Sequence, residues 1–155
     1  MEIALFEPEI PPNTGNIARL CVNADVPLSI IGKPAFDLSE KAVRRAGLDY
    51  WQDLSLTQFP SWGDFRREKE AKAQRIFLVS KFGKKVYWDL EYFSTDVFVF
   101  GRETSGLPEE ITQAHNPDEI ISIPMSPKSR SINLSNAVAI VLYEALRQRN
   151  MRNSP

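Results

Sequence analysis

The chain has 155 residues, 43% hydrophobic and 25% charged, with a formal net charge of −1 at pH 7. That profile fits one globular domain with a sizeable core and leaves no room for a separate substrate-binding domain, and an RNA partner would have to be gripped by a local basic face rather than by the overall field. The lone cysteine, Cys21, excludes an internal disulfide and a cysteine metal cluster, and the opening MEIALFEPEIPP reads as neither secretion signal nor membrane span, which predicts a cytoplasmic protein.

Glu2 to Phe6 predicts a short apolar strand, broken by Pro8, Pro11 and Pro12 into an extended loop. Asn13, Thr14, Gly15 and Asn16 then cap a helix over Asn16 to Ala24, where Ile17, Leu20, Cys21 and Ala24 form the buried stripe and Arg19 lies off it. Leu28 to Ile31 is a second strand. Asp37 and Glu40 have capping-box spacing for a helix over Lys41 to Ala46, stopped by Gly47. Tyr50 to Leu56 is a weak strand candidate. Pro60 to Lys72 predicts a charged surface helix anchored by Trp62 and Phe65, in which Arg66, Arg67, Lys69 and Lys72 are offset by Glu68 and Glu70 as a solvated face. Further strands are expected at Arg75 to Ser80 and Asp96 to Phe100, and Pro108 opens a helix where its missing N–H costs nothing.

The stretch Ile120 to Leu146 organises the rest. An apolar strand (Ile120, Ile121, Ile123) runs through Pro124 into a loop rich in hydroxyls and cations, and a helix follows whose stripe is Leu134, Ala137, Val138, Val141, Leu142 and Ala145. Strands alternating with helices predict an α/β fold, a mostly parallel sheet flanked by helices. A polar tail from Arg147 to Pro155 should fray, with disorder after about residue 150.

Three loops fall at the carboxyl ends of strands: Val79 to Gly83, Gly101 to Leu107 (GRETSGL) and Pro124 to Ser131. In an open α/β sheet that edge is where ligands bind, so one shared pocket is expected. GRETSGL is neither a P-loop nor GxGxxG, which argues against a triphosphate, flavin or nicotinamide enzyme, and its glycines also suit a plain strand-to-helix turn.

Read together, EPEIPPNTGNIARLC (Glu7 to Cys21), RRAGLDY (Arg44 to Tyr50), FGRETSGLP (Phe100 to Pro108) and IPM followed by SRSINLSNAV (Ser129 to Val138) resemble the SPOUT class of RNA methyltransferases. The closest likeness is to its minimal TrmL/YibK-like tRNA 2'-O-methyltransferases, over essentially the whole chain. The resemblance implies a single domain with a C-terminal deep trefoil knot, an S-adenosyl-L-methionine site in that knot, an obligate homodimer, no metal, and methyl transfer to the ribose of the wobble nucleotide (cytidine or a modified uridine) in a tRNA anticodon stem-loop. The alternatives are a catalytically silent RNA-binding relative and an enzyme acting at another tRNA or rRNA position.

Carried onto this chain, the resemblance puts the cofactor against Val79, Gly101, Ile123 and Ser131, with Met125 and Leu134 as neighbours, and glycine at 101 would let backbone approach the ligand. It makes Arg19, in the element Asn16 to Arg19, the catalytic candidate. A guanidinium with a pKa above about 12 is a poor base, so its role would be to hold the nucleotide's phosphate and stabilise the forming alkoxide. Asn13 belongs to the same segment. Asn133 and Asn136 either cap the last helix or contact substrate, Glu103 either orders its loop or receives a proton, and Tyr143 sits either at a helix or dimer contact or against substrate. RNA phosphates would fall to Arg44, Arg45, Lys81, Lys84, Lys85, Lys128 and Arg130. His115 lies away from every candidate loop. One departure stands out: the resemblance places lysine before the glycine of the loop after RIFLVS, and this chain has Phe82 there, with Lys81 one residue earlier.

Overall fold

The structure is a computed structural model that describes residues 1–38 and 49–152. The helix expected over Lys41 to Ala46 and the basic pair Arg44 and Arg45 lie outside the described residues. In chain order the elements are β1 (Glu2–Phe6), α1 (Pro11–Ala24), β2 (Leu28–Ile31), a 3-10 turn (Asp49–Asp53), β3 (Leu56–Phe59), α2 (Trp62–Ala71), β4 (Ile76–Val79), β5 (Lys85–Val86), β6 (Val97–Phe100), α3 (Glu109–Gln113), β7 (Ile120–Ser122) and α4 (Leu134–Arg152). The strands form one sheet in the order β3-β2-β1-β6-β4-β7-β5, and every pairing is parallel.

Both faces of that sheet are covered, as parallel sheets require. Successive residues alternate between two cores. Ile3 and Leu5 of β1, Phe77 of β4 and Phe98 and Phe100 of β6 point towards Ile17, Ala18 and Cys21 of α1 and Val138, Val141 and Leu142 of α4. Ala4 and Phe6, Ile76 and Leu78, and Val97 and Val99 point the other way, towards Phe65 of α2 and Ile111 of α3. The apolar stripe of α4 is therefore where its spacing put it. Burial also pushes the Cys21 thiol up to about 12, which leaves it an inert core group.

Several elements differ from expectation. The first helix begins at Pro11 rather than Asn16, because two prolines occupy its first turn, where no intrahelical N–H is needed. Tyr50 lies in a 3-10 turn, and the strand of that region is Leu56–Phe59. The last helix continues to Arg152 instead of fraying from Arg147. Lys69 is not on a solvated face: its ammonium lies 2.9 Å from Glu2 Oε2 and 2.8 Å from Glu2 Oε1, with its side chain only 4% exposed. Ser29 donates to the same carboxylate at 2.6 Å, so this buried charge pair pins α2 across β1 and β2.

The short segment Ser80–Lys84 shapes the site. Parallel neighbours need a crossover of about a dozen residues, yet β4 and β5 are parallel and nearly consecutive. They can be, because β7 lies between them: Leu78 and Val79 pair with Ile120 and Ile121, and Lys85 and Val86 pair with Ile121 and Ser122. The segment therefore straddles β7. Ser80 N–H donates to Ile121 O at 2.9 Å, and a Cβ on Gly83 would stand 2.5 Å from the Ile121 carbonyl carbon, so only glycine lets the two backbones pass.

Candidate functional site

The three loops predicted to share a pocket do so. A cavity of about 1090 Å³ opens at the carboxyl ends of β4, β6 and β7. Val79, Gly101, Ile123, Met125, Ser131 and Leu134 all line it, together with Asn13, Glu103, Arg130 and Asn133. Its walls combine an apolar side, from Val79, Phe100, Ile123, Met125, Leu134 and Ala137, with a polar rim from the GRETSGL and SRSIN segments. That is the make-up of a site for a nucleoside-like ligand with an apolar face and hydrogen-bonding edges, and its volume lies just above the usual range for such pockets.

The GRETSGL loop is held shut by its own backbone. Arg102 and Gly106 exchange N–H···O bonds of 3.1 and 2.9 Å, and Gly106 adopts φ +71°. A Cβ on Gly101 would come within 2.2 Å of the Gly106 carbonyl carbon and 2.3 Å of Leu107 N. Closure of this turn by itself demands glycine at 101.

A polar network ties that loop to the residues before α1. The Glu103 carboxylate accepts from Glu9 N–H at 2.8 Å, Ile10 N–H at 3.1 Å and Asn13 Nδ2 at 3.2 Å. Its negative charge thereby sits at the N-terminus of α1, a helix with no side-chain cap of its own. Arg102 pairs with Glu7, while Thr104 donates through its N–H at 2.9 Å and its hydroxyl at 2.8 Å to Glu9. Those two bonds hold the Glu9 carboxyl below its ordinary range. Asn13 Oδ1 in turn accepts from Asn133 Nδ2 at 3.0 Å. Asn133 Oδ1 takes the N–H of Ser135 at 2.9 Å and of Asn136 at 3.4 Å, capping α4. Three donors hold the Glu103 carboxylate in place between its loop and the start of α1. The Glu103–Asn13–Asn133 chain was not legible in the sequence, since its members lie 90 and 120 positions apart.

Four candidates are elsewhere. Arg19, Asn16, Asn136 and Tyr143 do not line the cavity of their own chain. Arg19 is exposed on α1, with its guanidinium 4.7 Å from the Tyr50 ring centroid, and Tyr50 donates to Gly15 O at 2.7 Å. Asn16 is exposed one turn earlier, and Tyr143 is 53% exposed on α4, which packs against α1. Of the basic residues, Lys81 and Arg130 reach the cavity, Lys84 and Lys128 are exposed beside it in sequence, and Lys85 lies 3.7 Å from Asp118. His115 lies 2.7 Å from the carbonyl oxygen of Ile76, a residue of the second core, and outside the cavity lining.

Parallel strands, a cavity at their carboxyl edge and three converging loops define an α/β protein built to hold a nucleoside-like ligand. The chain belongs to the SpoU rRNA Methylase family, whose sequence pattern it matches over residues 1–143. It is 45% identical over 146 residues to the tRNA (cytidine(34)-2'-O)-methyltransferase of Saccharophagus degradans, covering 94% of each chain. Its fold superposes on a solved structure concerned with the 2-OH methylation of C/U34 on tRNA with a TM-score of 0.86, at 36% identity, over 96% of this chain and 95% of that one. The SpoU methyltransferase AviRb from Streptomyces viridochromogenes, solved in complex with the cofactor AdoMet, matches with a TM-score of 0.83 at 26% identity, over 97% of this chain and 61% of that one. The resemblance carried by the four sequence blocks is therefore to the chain's own family.

Proposed function

We propose that this protein transfers a methyl group from S-adenosyl-L-methionine to the ribose 2'-hydroxyl of the tRNA wobble nucleotide, cytidine or a modified uridine, in the cytoplasm. The observation that carries this reading is the meeting of Val79, Gly101, Ile123, Met125, Ser131 and Leu134 around one cavity. The donor set fits the cofactor: an apolar wall for the adenine faces, and loop backbone with Ser131 for its polar edges. When bound, the cofactor supplies an electrophilic methyl on a sulfonium. The chain's own task is to hold a ribose oxygen in line with that methyl and to stabilise the charge on the oxygen as the O–C bond forms, the S–C bond breaks and the hydroxyl proton leaves. Arg19 grips the nucleotide's phosphate with its planar fork and stabilises that charge, while the proton passes to phosphate or solvent.

The C-terminal segment forms a deep trefoil knot in a single domain. The straddling of β7 by Ser80–Lys84, with Gly83 against Ile121, supports it. The working unit is a homodimer through the outer face of α1 and α4. Exposure of Asn16, Arg19, Asn136 and Tyr143 outside their own cavity supports that assembly and favours Arg19 serving the cavity of a second copy.

The test is methyl transfer from labelled S-adenosyl-L-methionine to unmodified tRNA, with the product mapped by mass spectrometry. The wild type should methylate the wobble ribose alone, whereas Arg19→Ala and Ile123→Arg, the latter filling the cavity, should each be inactive. Mixed dimers of the two variants should regain one working site, and their continued inactivity would place Arg19 within its own chain's site. Cofactor binding without transfer by the wild type would mark a silent RNA-binding relative.

A further inference from the structure

Phe82 is the most exposed large hydrophobic residue among those described, at 80% relative accessibility. An isolated apolar side chain on a surface needs no explanation, but this one is held in a particular place. It stands at the tip of the turn that straddles β7. One foot of that turn is fixed by Ser80 N–H on Ile121 O at 2.9 Å, the turn is closed by Gly83 N–H on Ser80 O at 3.0 Å, and the Phe82 N–H itself lies 3.3 Å from Ser80 Oγ. Gly83 is then pressed against the Ile120 and Ile121 backbone, so the ring is displayed by a braced support rather than by a loose loop. Its position is the rim of the cavity, together with Lys81 and, from the SRSIN segment, Arg130. The Lys81 ammonium lies 5.1 Å from the ring centroid, which leaves most of the ring surface free.

An open aromatic face flanked by cations is the combination that binds unpaired nucleotides: the ring stacks on a base and the cations take the phosphates. We propose that Phe82 is a stacking platform for an unpaired nucleobase of the RNA substrate, next to the nucleotide whose ribose enters the cavity, with Lys81 and Arg130 holding the adjoining phosphates. This assignment rests on the function proposed above and adds the residue that positions the substrate. Phe82 is a positioning residue; it touches no reacting atom.

The test uses the full-length protein as wild type, Phe82→Ala and Phe82→Trp, with unmodified tRNA and S-adenosyl-L-methionine as probes. Phe82→Ala should raise the KM for tRNA about tenfold and leave kcat, cofactor affinity by calorimetry and the sedimentation mass unchanged, since one base stacked on an aromatic ring is worth a factor of that order. Phe82→Trp should restore the wild-type KM. An unaltered KM in Phe82→Ala would overturn the stacking while leaving methyl transfer intact. Loss of cofactor affinity would instead make Phe82 a cover for the cofactor, and a changed mass would make it a contact between two copies of this chain; either result overturns the proposal. A wild-type chain that methylates no tRNA would overturn the underlying function, and this inference with it.

Discussion

The two halves of the sheet are built on opposite plans. In β1, β2 and β3, spatial order follows chain order, and the half is locked by a charge pair buried between β1 and α2, with Lys69 on Glu2 and Ser29 donating to the same carboxylate. In β6, β4, β7 and β5 the order is interleaved, and the half is locked by backbone passing backbone at Gly83 and Gly101. Consecutive strands carry their connections outward in one direction. Interleaving sends several connections back over the same edge, which gathers three loops around one cavity. The regular half supplies a rigid wall, and the irregular half supplies the site.

Substitutions can break this contrast. The largest effect is expected for Gly101→Ala. Its Cβ would meet backbone, with no flexible side chain to yield, so unfolding should become easier by about 5 kcal/mol or more. Any folded protein should also lose cofactor affinity, because the GRETSGL turn forms the cavity wall. Denaturant titration followed by calorimetry with S-adenosyl-L-methionine checks both. Lys69→Ala should come next. Leaving Glu2 buried without its cation costs about 3–5 kcal/mol, yet cofactor affinity per folded molecule should be unchanged, since that pair is remote from the cavity lining. If Lys69→Ala weakened cofactor binding as much as Gly101→Ala, the two halves would not be separable.

Glu103→Gln sharpens the comparison at smaller scale. The amide can still accept from Ile10 N–H and Asn13, but its NH2 group would face the N–H of Glu9, so one bond to a charged acceptor is lost and a donor is opposed to a donor. A stability loss of about 1.5–3 kcal/mol is expected. If Glu103 only orders the loop, cofactor affinity and KM should shift while the pH profile of kcat keeps its shape. A lost limb in that profile would instead make the carboxylate a proton acceptor.

How far the site was legible depended on what kind of signal each residue leaves. The stripe on α4 and the alternation in β1, β4 and β6 are periodic, so burial followed from spacing alone. Ten of the candidate residues around the cavity followed from loop position and family resemblance, with Val79 at the end of β4 and the others in loops or at helix starts. Lys69 was misplaced because it sits in an unbroken run of charged residues from Arg66 to Glu70, and its partner Glu2 lies 67 positions away. Arg19, Asn16 and Asn136 shared motifs with the cavity residues but, like Tyr143, stand outside their own chain's cavity, since neighbours along a helix point in different directions.

By itself the sequence determined the α/β class, most strands, the buried faces of the helices, and the loops that line the cavity, because local periodicity and turn chemistry act over a few residues. Tertiary structure alone decided the strand order, the passage of Ser80–Lys84 over β7, the Glu103–Asn13–Asn133 network and the separation of Arg19 from its own cavity. These depend on contacts between residues far apart in the chain, and no local pattern encodes which distant backbone a glycine must let through.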